Sequence, residues 1–309
     1  MNILVTGGAG YVGSDLVPSL LREGHRVRVL DNLTFGGRSM MTCFRNPHFE
    51  LVKGDVRDRN IVRQSVKNMD AIIHLAAIVG YPACKKDARL AYEVNVEGTK
   101  NVNRARSKKQ PVIFASTGSN YGAIVGDYCR EDTPLHPLTD YGRTKTAAEK
   151  IFLKTGNAVV FRFATAFGVS QRLRLDLLVN DFVYRAVKER NLIIYEKHFK
   201  RTFIHVHDMT RSFIFALNHL GKMRDQVYNV GSEKMNFSKE DVARLIQKQF
   251  RYYLHFAEVG KDEDQRNYEV SYRKINKLGY HTTISAEQGI KELIAAMQVV
   301  EIQNEYSNV

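Results

Sequence analysis

Two periods alternate along the first half of the chain. Short apolar runs stand at 2–6, 26–30, 49–55, 70–77, 111–116 and 158–163. Between them, apolar residues recur at helical spacing, as Leu16, Val17, Leu20 and Leu21 do on one face. The run Asp70-Ala71-Ile72-Ile73-His74-Leu75-Ala76-Ala77 is apolar almost throughout, as a strand covered on both faces must be. The pattern predicts helices near 58–67, 86–107 and 139–155. Strands alternating with helices through right-handed crossovers give a doubly wound parallel sheet. Beyond Thr165 the rhythm loosens. Helices are predicted over 175–190 and 207–220, after Ser238 and from Ser285, with strands at 192–195, 201–206, 227–231 and 252–256.

The first run leads directly into Gly7-Gly8-Ala9-Gly10-Tyr11-Val12-Gly13. Strand, glycine turn, helix, strand and a closing acid, Asp31, follow in the order of a dinucleotide-binding βαβ unit. Gly7 permits the sharp turn, Gly10 lets a pyrophosphate approach the backbone, and Gly13 is expected to let the helix pack on the sheet. Tyr11 and Val12 belong to the same phosphate-binding turn. The free N–H groups and partial positive charge of the helix start receive phosphates. Asp31 lies 18 residues beyond Gly13, placed to accept hydrogen bonds from the adenosine ribose. Its charge would repel a 2′-phosphate, so NAD is expected over NADP. Asp55 and Val56, ending the third run, are placed to meet the adenine, and the small Ala76 and Ala77 leave room for the coenzyme. The reading is α/β: a Rossmann-like NAD-binding domain over 1–165, with the chain returning at about 204–232. A smaller C-terminal α/β substrate domain takes 166–203 and 233–309.

Composition adds limits. No apolar run is long enough to span a bilayer, and Met1 is followed at once by a strand, so no leader is expected. Cys43, Cys84 and Cys129 are scattered, which argues against a disulfide framework or zinc site. Cys84 reads as a packed thiol. His205 and His207 lack a third ligand at suitable spacing, so no metal is expected. These features point to the cytoplasm. The net charge of +13 comes from 46 basic and 33 acidic side chains. Three readings fit it: a solvated basic surface, attraction of an anionic nucleotide substrate, and nucleic-acid binding. The basic residues are dispersed and no RNA-binding motif accompanies them, so neither nucleic acid nor membrane is expected as a partner.

Tyr141-Gly142-Arg143-Thr144-Lys145 sets a phenol and an ammonium one helical turn apart on a shared face. A free tyrosine, with a pKa of about 10, is a poor base at neutral pH. A nearby lysine and a cationic nicotinamide favour the phenolate, and a helix start capped by Thr139 or Asp140 helps. Such a phenolate can take a proton from a sugar hydroxyl while NAD takes the hydride from the same carbon. Thr117, just past the fifth run, is placed to hold that hydroxyl.

The chain resembles the extended short-chain dehydrogenases/reductases that modify nucleotide sugars. The likeness rests on the glycine turn, Asp31-Asn32, Asp55-Val56, His74-Leu75-Ala76-Ala77, Asn95-Val96-Glu97-Gly98-Thr99, Ser116-Thr117 through Tyr121-Gly122, Tyr141-x-x-x-Lys145 and Arg201-Thr202-Phe203-Ile204-His205-Val206-x-Asp208. It implies Thr117, Tyr141 and Lys145 as catalytic residues, and adds Asn32, Leu75 and Asn95 to the coenzyme contacts. It also implies that Arg201 and Arg266 approach the substrate phosphates, that Asn180 contacts the nucleotide sugar, and that the protein forms a homodimer through the helices near 86–107 and 139–155.

Departures from that family's pattern narrow the expectation. Sugar 4,6-dehydratases carry Asp-Glu after the catalytic Thr, where this chain has Gly118 and Ser119, so elimination of water is not expected. Enzymes that epimerise at C3 and C5 carry Cys where Ser119 stands. Oxidation at C4 remains, with either release of the ketone or re-reduction as in a 4-epimerase. The segment from Arg172 to Ala186, His198-Phe199-Lys200-Arg201 and Asp262-Glu263-Asp264-Gln265-Arg266-Asn267-Tyr268 are similar to GDP-heptose 4-dehydrogenases of capsule synthesis. A GDP-sugar is therefore the expected substrate and a UDP-sugar the alternative. Some relatives in this superfamily bind NAD or RNA without catalysis, but they usually lack the Tyr or the Lys that this chain keeps.

Overall fold

Seven apolar runs assemble side by side in a computed structural model that describes residues 1–123, 128–258, 269–301 and 308. In chain order the strands are β1 Asn2–Thr6, β2 Arg26–Asp31, β3 Phe49–Lys53, β4 Ala71–His74, β5 Val112–Thr117, β6 Tyr128–Cys129, β7 Ala158–Phe163 and β8 Thr165–Phe167. They continue with β9 Asn191–Tyr195, β10 Lys200–His205, β11 Gln226–Val230, β12 Asn236–Ser238, β13 Tyr253–Ala257 and β14 Glu269–Val270. The large sheet runs β11-β7-β5-β4-β1-β2-β3, every neighbouring pair parallel. The fold is an α/β Rossmann-like parallel sheet. The strand order reverses between β1 and β4, and in such sheets ligands bind in the crevice beyond the strand ends at that point.

The helices are α1 Gly13–Arg22, α2 Arg59–Val66, α3 Tyr81–Lys86, α4 Ala88–Tyr92, α5 Thr99–Ala105, α6 Asp140–Thr155 and α7 Leu178–Tyr184. Then come α8 Val206–Asn218, α9 Leu220–Met223, α10 Lys239–Gln247, α11 Arg273–Asn276 and α12 Ala286–Val299. Leu16, Val17, Leu20 and Leu21 of α1 are all buried, as their spacing requires. The apolar residues of α1 and of α8, including Met209, Phe213, Ala216 and Leu217, share one cluster on one face of the sheet. A second cluster, with Leu4, Ile72, Phe114 and Phe152, covers the other face. A third joins Phe167, Val183, Leu192, Phe203, Ile246 and Leu293 in the second half of the chain.

The helix expected over 86–107 is broken. Pro82 stands in the first turn of α3, and Asp87 then caps α4 by accepting from Leu90 N at 2.8 Å. Residues Glu93–Gly98 form a widened π-type turn before α5. The helix expected over 175–190 likewise starts late, at Leu178, and widens over Arg185–Glu189. β8 was not anticipated, being only three residues long and lacking a clear alternation.

Asp208 in the first turn of α8 is fully buried and anchors the approach to α12. Its carboxylate accepts from Thr283 N (3.0 and 3.1 Å), Thr283 Oγ1 (3.0 Å), Ile284 N (3.0 Å) and Arg211 Nη1 (2.7 Å). Asp208→Ala strands these donors, so urea unfolding should show a loss of about 3 kcal/mol. A loss below about 1 kcal/mol would mean that the 281–284 segment is held by other contacts.

Candidate active site

At the strand-order reversal lies a cavity of about 320 Å³. Its lining includes Gly7, Gly10, Tyr11, Val12, Gly13, Asp31, Asn32, Asp55, Val56, Leu75, Ala76 and Ala77 at one end, and Ser116, Thr117, Ser119, Tyr141 and Lys145 at the other.

The glycine turn is shaped for a ligand that presses on its backbone. Gly7 has φ +72°, and a Cβ there would stand 2.6 Å from Ala76 N, so the turn touches the end of β4 directly. A Cβ on Gly10 would meet only Gly7 O within 4 Å, at 3.2 Å. Gly13 differs from expectation: a Cβ there would strike the backbone of Gly8, so it closes the turn on itself rather than seating the helix on the sheet. Asp31 accepts from Ala9 N at 3.0 Å and Leu33 N at 2.8 Å. Burial nevertheless holds its carboxyl above the usual range; the two N–H bonds and the Arg172 charge work against that. Asn32 Nδ2 donates to Asp55 Oδ2 at 3.3 Å, which ties the ends of β2 and β3 together.

Thr117 closes β5 and caps the short turn Gly118–Tyr121. Its Oγ1 donates to Ser119 Oγ at 3.1 Å and accepts from Ser119 N at 3.1 Å. Thr139 caps α6 through Gly142 N at 3.2 Å, which sets Tyr141 and Lys145 at the cavity wall. Lys145 is 3 % exposed, and its Nζ lies 4.2 Å over the Phe114 ring. Burial pulls the ammonium down to about 7, against the opposing influence of Cys84 and Glu149. A buried ammonium aimed at a glycine-walled cavity suits the hydroxyls of a ribose. With Asp31 at the far end, the residues present fit a nicotinamide dinucleotide.

Three of the expected contact residues lie outside the cavity lining among the described residues. Asn95 is absent from the lining. Its Oδ1 accepts from Ile78 N at 2.8 Å, and its Nδ2 donates to Ile78 O (2.9 Å) and Thr144 Oγ1 (3.0 Å). It pins the loop after β4 to α6. Asn180 is fully buried, with Oδ1 accepting from Gly168 N at 3.0 Å and Nδ2 donating to Arg174 O at 2.8 Å. Its amide braces the loop before α7. Arg201 is buried on β10, where Nη1 donates to Lys200 O at 3.1 Å, and it too is absent from the lining. Arg266 lies outside the described residues. Cys84 is a packed thiol that donates to Ile78 O at 3.4 Å, and burial pushes it up to about 12. His205 Nδ1 accepts from His207 N at 3.2 Å, capping α8, and His207 Nδ1 meets Asp15 Oδ2 at 3.1 Å.

The structure also brings forward residues that no sequence pattern singled out. A strap from Gly168 to Leu177 crosses to the glycine turn. Tyr11 OH donates to Gly168 O at 2.8 Å, Ser170 Oγ to Tyr11 O at 2.7 Å and Arg172 N to Ser14 Oγ at 3.2 Å. The strap sets Arg172 over the Phe35 ring at 3.9 Å, and holds Arg174 against Asp176, Nη2 to Oδ2 at 2.5 Å. Both arginines line the cavity. Their segment stood out in the sequence by its likeness, but nothing in its pattern told which side chains turn inward.

Residues 3–231 match the NAD dependent epimerase/dehydratase family. The chain belongs to that family. It is an NAD-dependent enzyme of the extended short-chain dehydrogenase/reductase type. It is 28% identical to a putative UDP-glucose 4-epimerase of Methanocaldococcus jannaschii, over 96% of this chain and 98% of the relative. It is 27% identical to a UDP-N-acetyl-alpha-D-glucosaminuronate decarboxylase of Bacillus cytotoxicus, over 96% and 98%. The structure of UDP-glucuronic acid 4-epimerase from Bacillus cereus, in complex with UDP-glucuronic acid and NAD, superposes with a TM-score of 0.86. It is 25% identical, with 96% of this chain and 99% of that one covered.

Gly7→Ala forces a side chain into a left-handed backbone and onto Ala76. Calorimetric titration should show NAD binding weakened about 10- to 100-fold. An unchanged affinity in the folded variant would show that the turn does not cradle the coenzyme.

Proposed function

We propose that the enzyme oxidises C4 of a nucleotide-diphosphate sugar, and that its substrate is a GDP-linked heptose, as in the GDP-heptose 4-dehydrogenases of capsule polysaccharide synthesis. The observation that carries C4 oxidation is the make-up of the reaction end. Thr117, Ser119, Tyr141 and Lys145 share one wall, and the carboxylates lining the cavity, Asp31 and Asp55, lie at the adenosine end among the described residues. A hydroxyl can be deprotonated there, while no lining acid stands by to drive loss of water.

In this reading Tyr141, as phenolate, removes the proton from the C4 hydroxyl, and Lys145 stabilises the phenolate by its charge. Thr117 Oγ1, fixed by Ser119, holds the same hydroxyl in line. Bound NAD would supply the hydride acceptor for C4. Arg172 and Arg174 offer planar donors to phosphate oxygens. The GDP-heptose assignment is supported by the likeness of 172–186, 198–201 and 262–268, the first of which contributes those two arginines to the wall. We further propose the division into an NAD-binding unit (1–165, with 204–232) and a sugar-nucleotide unit, Arg201 and Arg266 as phosphate contacts, and a homodimer paired through α4–α5 and α6. A UDP-sugar 4-epimerase is the second reading, favoured by relatives of that name.

Incubation with UDP-, GDP-, CDP- and dTDP-sugars separates the two. Stoichiometric NADH with a GDP-sugar supports the dehydrogenase. A new sugar nucleotide without net NADH supports the epimerase. Tyr141→Phe should keep NAD binding and lose about 10³-fold in kcat; full activity in that variant would remove Tyr141 as the base.

A further inference from the structure

Beneath the reaction wall lies a buried charged cluster that the chemistry above leaves unused. Tyr141, Lys145 and Glu149 follow one another at four-residue steps along one face of α6. Glu149 is 2 % exposed. Its Oε2 accepts from Ser116 Oγ at 2.9 Å and Asn120 Nδ2 at 3.2 Å, the residues that bracket Thr117. Its Oε1 is paired with Arg162 of β7, through both Nη2 and Nε. Arg162 Nη1 donates to Tyr121 OH at 3.1 Å and to Glu131 O at 3.0 Å, and Tyr121 OH donates to Asn229 Oδ1 on β11 at 2.7 Å. One carboxylate thus ties α6 to the Thr117 turn and, through Arg162, to two strands.

We propose that Glu149 is a positioning residue for the reaction: it clamps the Thr117 turn against α6, so that Thr117 and Tyr141 meet the same hydroxyl. The proposal rests on the reading of Thr117 and Tyr141 as catalytic residues.

With a sugar nucleotide that turns over, Glu149→Gln should lower kcat about 10- to 100-fold with KM and NAD affinity little changed, and Glu149→Asp should restore kcat in part. Glu149→Gln also strands the Arg162 guanidinium. Ser116→Ala is therefore the second probe, since it leaves that pair intact and removes the hydrogen bond to the carboxylate together with the one Ser116 accepts from Asn120. It should lower kcat about 3- to 10-fold, again with KM little changed. A folded Glu149→Gln with wild-type kcat, or one that loses kcat, KM and NAD affinity together, overturns the proposal. If Glu149→Gln does not fold, wild-type kcat in Ser116→Ala overturns it. An active Tyr141→Phe would instead sink the base assignment, whereas an inactive one beside an unaltered Glu149→Gln sinks only the role of Glu149.

Discussion

The close approach of the Gly7 turn to the end of β4 is the constraint on which the site depends. Gly7 N donates to Leu30 O at 2.8 Å and Leu75 N donates to Thr6 O at 3.0 Å, so three strand ends are laced together where the chain leaves the sheet. The backbones touch because Gly7 has no Cβ. This junction fixes the start of α1, the acid at the end of β2 and the small residues after β4 relative to one another. The coenzyme-facing geometry then follows from strand order and side-chain size.

Around that junction the protein buries charge in two ways. Glu149 and Arg162 are paired with each other and hydrogen-bonded to neighbours on β5 and the Thr117 turn, which limits the cost of removing them from water. Lys145 is buried over an aromatic ring, and burial pulls its ammonium down to about 7. The first arrangement gives rigidity, because both partners are held by several fixed contacts. The second leaves a cation whose best partners arrive with the ligands. The turn carrying Thr117 lies between the two and takes its position from the rigid side.

Much of this was legible in the sequence because local rules coincide with the global result. The glycine turn, the helical face of Leu16 to Leu21 and the apolar run at 70–77 each encode an element and its burial. Tyr141 and Lys145 could be read because helical spacing alone brings them together. The protein partners of Asn95, Asn180 and Arg201 were not legible, because an amide or guanidinium does not announce which backbone it will meet. Asn95 meets its partners from a widened helical turn, through hydrogen bonds with Ile78 and Thr144. Arg172 was equally opaque. Its place over Phe35 is set by a strap whose anchors, Ser14 and Tyr11, lie more than 150 residues earlier.

That strap also bears on how the protein can be taken apart. Tyr11 and Ser14 sit in the opening motif but find hydrogen-bond partners in Gly168, Ser170 and Arg172. A fragment cut after β7 would carry an apparently complete nucleotide-binding motif with its lacing undone. Chimeras that swap substrate halves between relatives would need to carry residues 168–172 together with the matching glycine turn, since the natural seam runs through the coenzyme crevice and not between the two halves of the chain.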